Sequence, residues 1–137
     1  MRAMRWWFLL LIILGVGMGG CQRSSAQSAP AGITVTVDPV PPRVGEPATV
    51  TIILRDAQGN PVNVSDLRVV GSMTHAGMKP VVAKAREISP GRYVATLEFT
   101  MGGDWFIVVQ GVLPDGEPFE HTVDIPGVEA KERRAEP

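Results

Sequence analysis

The run RYVATLEF, residues 92–99, decides the fold. Tyr93, Ala95, Leu97 and Phe99 fall on one side, and Arg92, Thr96 and Glu98 fall on the other. A period of two is the mark of a strand with one buried face. Ser89-Pro90-Gly91 supplies the turn before it, with Pro90 and Gly91 suited to the turn's centre. Working outward, ITVTVDP (33–39) alternates Ile33, Val35 and Val37 with threonines, and ATVTIILRD (48–56) sets Ala48, Val50, Ile52 and Leu54 on one side. Val62 to Val70 contains a further strand with Leu67 and Val69 facing in. Gly59-Asn60-Pro61 and Pro114-Asp115-Gly116 read as turns, the second leading into PFEHTVDIP (118–126). VVAKAREI (81–88) suits a strand and equally a helix. DWFIVVQGVL (104–113) is apolar on both faces, which predicts a central strand covered on both sides. No segment carries a convincing amphipathic helix. The expectation is an all-β, immunoglobulin-like β-sandwich of about seven strands. "Immunoglobulin-like" refers to architecture alone, because a chain with a single cysteine lacks the Cys…Trp…Cys spacing of true immunoglobulin domains.

Ahead of the strands the chain opens MRAMRWWFLLLIILGVGMGGC. Arg2 and Arg5 precede an apolar run from Trp6 to Leu14, and Gly19 and Gly20 lead into Cys21. The apolar run is short for a membrane span of ~20 residues and reads as an export signal. Its small-small-Cys ending resembles the lipobox of bacterial lipoproteins, with Met18 where that pattern usually carries Leu. Residues 1–20 are then a signal peptide and Cys21 is the lipidated new N-terminus. The other reading is an uncleaved anchor ending near Cys21. Either way the expected location is extracytoplasmic and membrane-anchored, periplasmic or at the cell surface. Residues 21–32 form a small, polar linker, 33–126 the sandwich, and 127–137 a charged tail.

Losing residues 1–20 leaves 11 basic residues against 14 acidic, a charge of about −3. That mild acidity has no basic stripe, so nucleic acid is not an expected partner. The only cysteine belongs to the anchor, which leaves the domain without disulfide or thiol chemistry.

The mature chain retains three methionines, Met73, Met78 and Met101, each within two residues of Gly, His or Pro. Two of them share the segment MTHAGMKP (73–80) with His75. Thioether sulfur is a soft, neutral ligand that favours Cu(I), and imidazole suits copper as well. In an extended segment Met73 and His75 share a face, and Gly77 permits a turn that returns Met78 towards them. Met101 or His121 would complete such a set. Met101 also continues the inward parity of Tyr93 to Phe99 and by itself reads as core. His121 shares parity with Phe119, Val123 and Ile125, on the apolar side of its strand. The competing reading makes residues 73–78 a loop that plugs one end of the sandwich, or a contact patch. Zinc would need more Cys/His ligands than two histidines supply. No G-x-S-x-G elbow surrounds Ser72, so a Ser72, His75, Asp104 triad is not expected, nor is an enzyme.

Three features stand in the order found in YtkA-like domains, relatives of the FixH proteins. They are the strand entering VVGSMTHAGMKPV, then SPGRYVATLEF, then TMGGDWFIVVQ. The sequence resembles that family across roughly residues 33–126. The resemblance implies a small exported or membrane-anchored β-sandwich, in a family often associated with copper or other heavy metals. The competing class is an interaction module, the same sandwich used to contact a membrane protein complex, whether one that handles copper or another.

Overall fold

The computed structural model describes residues 30–132. Within them the chain forms eight strands: β1 (Gly32–Asp38), β2 (Pro47–Arg55), β3 (Ser65–Ser72), β4 (Val81–Lys84), β5 (Arg86–Ser89), β6 (Arg92–Glu98), β7 (Gly103–Val112) and β8 (Pro118–Val128). They make two four-stranded sheets, ordered β1-β2-β6-β5 and β4-β3-β7-β8, and every pairing is antiparallel. The all-β sandwich read from the alternation is the fold observed.

The alternation explains which face each strand buries. In β2 the side chains of Ala48, Val50, Ile52 and Leu54 are buried while Thr49 is exposed. β6 answers with Tyr93, Ala95 and Leu97, registered against Ile52, Val50 and Ala48. From the opposite sheet come Leu67 and Val69 of β3 and Trp105, Ile107 and Val109 of β7. Phe99 and Trp105 meet edge to face with ring centroids 5.1 Å apart and planes at 81°, a favoured aromatic geometry.

The eighth strand comes from VVAKAREI, which is neither helix nor one strand. It breaks at Ala85, whose side chain is buried and whose N–H donates to Leu67 O at 2.9 Å. The four residues before Ala85 pair with β3 and those after it pair with β6, so the chain crosses from one sheet to the other there. At the expected turn Gly91 has φ +70°, and a Cβ there would stand 2.7 Å from Pro61 Cβ and 2.8 Å from Leu54 O. Only glycine fits such a backbone without a shift.

Two sequence expectations differ from the structure. β7 is central in its sheet, between β3 and β8, but one face alone is covered. Phe106, Val108 and Val112 point outward and stay half-buried, because a two-layer sandwich leaves each sheet's outer face open. β8 also runs past residue 126 to Val128, which is buried. Glu129 follows it into the fold: its N–H donates to Pro42 O at 2.9 Å, and its carbonyl accepts from Val44 N at 3.0 Å.

The registers sort the connections into two ends. At one end lie the start of β1, the 56–64 link, the Pro90–Gly91 turn and the 113–117 turn. At the other lie residues 39–46, 73–80, 99–102 and 129–132.

Tyr93 ties the first end together, accepting from Val64 N at 2.8 Å and donating to Val64 O at 3.3 Å. Burial raises its pKa above the ordinary phenol range. The neutral form is therefore favoured in the fold, and stability falls as pH rises past ~10, where the unfolded chain's tyrosine ionises first. This Tyr is the only one in the chain. Tyr93→Phe should cost ~1 kcal/mol at neutral pH through the lost hydrogen bonds. It should also flatten the alkaline fall in denaturant midpoint between about pH 9 and 11; an unchanged alkaline limb would contradict this account.

Candidate metal centre

All three methionines of the described chain belong to the end that carries residues 73–80 and 99–102. Met73 follows Ser72, which pairs with Phe106, so it stands level with Trp105 at the top of the core. Its side chain is 5 % exposed, and its Cε lies 3.2 Å from where a Cβ on Gly103 would sit. Gly103 has φ +120°, a conformation that side chains resist. Met73 is thus a core residue at the rim. Met78 is half-buried against the same core, and Gly77, at φ +81°, makes the turn before it. His75 is exposed.

Met101 is 48 % exposed, contrary to its inward parity. The reason is local. β6 ends at Glu98, and after Phe99 the chain bends back towards β7, so the alternation no longer applies. The bend is held by the Trp105 indole, whose Nε1–H donates to Met101 O at 2.8 Å. That bond fixes the Met101 backbone, and the residue stays partly open to solvent. The same indole packs over Gly71, 3.6 Å from the nearest position a Cβ would take.

His121 is not brought to this end. It faces inward on β8 opposite Val109, four residues below Trp105 along β7. At ~3.3 Å per residue that is about 13 Å below Met73. Met73, His75, Met78 and Met101 therefore share an end of the sandwich that His121 does not.

Two features here were not singled out from the sequence. Val40, 84 % exposed, sits in the 39–46 loop at the same end. Its signal was the Pro39, Pro41, Pro42 cluster, which leaves a valine no strand to join. A hollow of about 300 Å³ lies just around the edge, lined by Thr74, Asp104, Trp105, Phe106, Asp124 and Pro126. Asp104 Oδ1 accepts from Gly127 N at 3.0 Å, so one carboxylate there serves the backbone. Among the described residues no three His, Cys, Asp or Glu side chains converge to hold a metal. Methionine sulfur is the distinctive donor of this end. Cys21 lies outside the described residues.

These features define a two-sheet sandwich that presents soft side chains on the loops of one end. The profile of the YtkA-like family matches residues 25–110, more than half of the chain, and the chain belongs to that family. A comparison with curated proteins returns no match. Among solved structures, the Lin-41 filamin domain is similar with a TM-score of 0.50 at 15% identity, covering 76% of this chain and 98% of that one. The ZirS C-terminal domain follows at 0.47 and 19% identity, covering 72% and 65%. MtrC from Shewanella baltica OS185 gives 0.43 at 15% identity, covering 74% of this chain and 23% of its own length. The filamin likeness shows the fold.

The burial differences predict separable effects on stability. Met73→Ala should cost ~2–5 kcal/mol, as large-to-small core changes do. Met101→Ala and His75→Ala should stay within ~0.5 kcal/mol of wild type. Urea denaturation of the three variants checks this, and a Met101→Ala as damaging as Met73→Ala would refute the placement of Met101.

Proposed function

We propose that this protein is a membrane-anchored extracytoplasmic lipoprotein, held through Cys21, whose sandwich binds Cu(I) at its loop end and delivers it. The observation that carries the reading is the exposure of Met101, a methionine left 48 % open to solvent. Packing does not require it there, and it shares its end with Met73, Met78 and His75. Three thioethers and an imidazole suit a soft monovalent ion better than a hard one. Met73, under the rim, would supply a donor from the core side, and His75, Met78 and Met101 would supply the loop side. The role is binding and transfer, not catalysis.

The anchor fits the same layout. β1 begins at Gly32, at the end opposite the methionines. A tether entering there would turn the methionine end away from the membrane, towards a partner complex in the same compartment. The leader's basic, apolar, small-residue and cysteine order supports lipidation, and the family resemblance supports the copper reading.

A second reading keeps the sandwich and drops the metal: an interaction module that contacts a membrane protein complex. The exposed Val40, in the same end, favours it.

Titrating Cu(I) against a chromophoric chelator separates the two. Wild type should compete for the ion, and Met78→Leu/Met101→Leu should lose at least ~10-fold in affinity. Its stability should move by less than ~1.5 kcal/mol, since Met-to-Leu conserves volume. No competition by wild type, or an unchanged double variant, would hand the function to the interaction module. The anchor has its own check: mass spectrometry should find a lipid on Cys21 and none on a Cys21→Ser precursor.

A further inference from the structure

The outer face of the β4-β3-β7-β8 sheet carries an apolar strip that no described element covers. Registration places Val82, Val70 and Val108 side by side in one row across β4, β3 and β7, ending at Thr122 of β8. Val82 is 60 % exposed, and Phe106 extends the strip one row higher on β7. The row below is charged and ordered: Lys84, Arg68, Gln110, Glu120. Basic residues thus mark one edge of the face and acidic residues the other, where Asp124 joins Glu120. Residues 93–130 contain seven Asp or Glu and no Lys or Arg, so the β7–β8 half has no cation of its own besides histidine. Gln110 Nε2 donates to Glu120 Oε2 at 2.9 Å, a neutral partner rather than a cation. Neither Lys84 nor Arg68 has a carboxylate partner among the described residues.

We propose that this face pairs with the same face of a second copy of the chain, about a two-fold axis parallel to the strands. That operation lays the β4 edge of one copy over the β8 edge of the other at the same height. Lys84 then meets Glu120 of the second copy, Arg68 meets its Gln110, and Val70 meets its Val108. A two-fold across the strands would instead stack β4 on β4 and oppose like charges. The chosen axis also points both β1 starts the same way, as two copies anchored in one membrane require; this clause rests on the tether of the proposed function. Of the segments outside the described residues, QRSSAQSA (22–29) and RRAEP (133–137) have no apolar run, and the apolar Trp6–Leu14 belongs to the leader that the proposed function removes.

The area sets the strength. Four strands at ~4.8 Å by three rows at ~6.8 Å span roughly 400 Å² per copy. A standard stable interface buries about 800 Å² per partner, so this pairing is weak in dilute solution. It becomes populated when tethering raises the effective concentration towards millimolar.

The test is zero-length carbodiimide cross-linking of the full chain, both in phosphatidylcholine vesicles and at ~1 mM in mild detergent. Expected is a dimer band whose cross-linked peptide joins Lys84 to Glu120. Lys84→Glu should cut the band at least ~10-fold in both settings, and Lys84→Glu/Glu120→Lys should restore it. Thermal melts verify folding, with Lys84→Ala and Glu120→Gln as neutral substitutes for a reversal that fails to fold. Monomer alone in both settings, a band indifferent to Lys84→Glu, or a swap that restores nothing would overturn the pairing. Flotation with the vesicles is scored separately. A chain that dimerises at ~1 mM without floating supports the face and refutes the tether.

Discussion

The hydrogen bond from the Trp105 indole to the Met101 carbonyl, 2.8 Å long, is the constraint on which the loop end depends. A buried indole must satisfy its N–H or lose a hydrogen bond's worth of stability. Here the partner comes from the bend that joins the two sheets. The ring meanwhile packs edge-on against Phe99 and lies over Gly71. One side chain, the first core residue of β7, therefore joins the last inward residue after β6 to the upper part of β3. Met73 sits beside it, over Gly103. The exposure of Met101 and the burial of Met73 are two consequences of the same wedge.

The fold was legible because its strands obey a simple rule. β2 and β6 alternate without interruption, and Pro90-Gly91 announced a turn that the backbone at Gly91 requires. The sequence was silent where alternation ends. Met101 keeps the parity of Phe99 on paper, yet two residues of bend lie between strand and side chain, and parity has no meaning across a bend. VVAKAREI was ambiguous because its crossing depends on Ala85 reaching Leu67 across the sheet edge, a contact that local propensity does not encode. The last strand looked finished at Pro126, since proline and glycine usually close a strand. Pairing of Val128 with Gly103 carries it further, and Glu129 then bridges to Arg43 of the 39–46 loop.

For the candidate site, the sequence named the residue types, and the fold sorted them by position. His121 had the right chemistry, but its register sets it well down the sheet. Met73 had the right spacing, and the core claims most of its surface. The apolar outer face of β7 was visible as an excess of valine and phenylalanine, which reads as double coverage when the number of layers is unknown. With two layers established, that same excess becomes a surface open to a partner. The proposed roles are thus laid out along the strand axis and across it. The proposed ion site occupies one end, the proposed tether the other, and the proposed contact one broad face.

The central claim is that methionine sulfur at the loop end binds Cu(I). It can be addressed directly, because residues 30–132 contain three methionines, Met73, Met78 and Met101. Mature protein labelled with selenomethionine and loaded with Cu(I) would be studied by X-ray absorption at the selenium and copper edges. The account predicts direct selenium–copper scattering at both edges, with at least two selenium neighbours per copper. Copper surrounded only by nitrogen and oxygen, with no selenium neighbour, would contradict it.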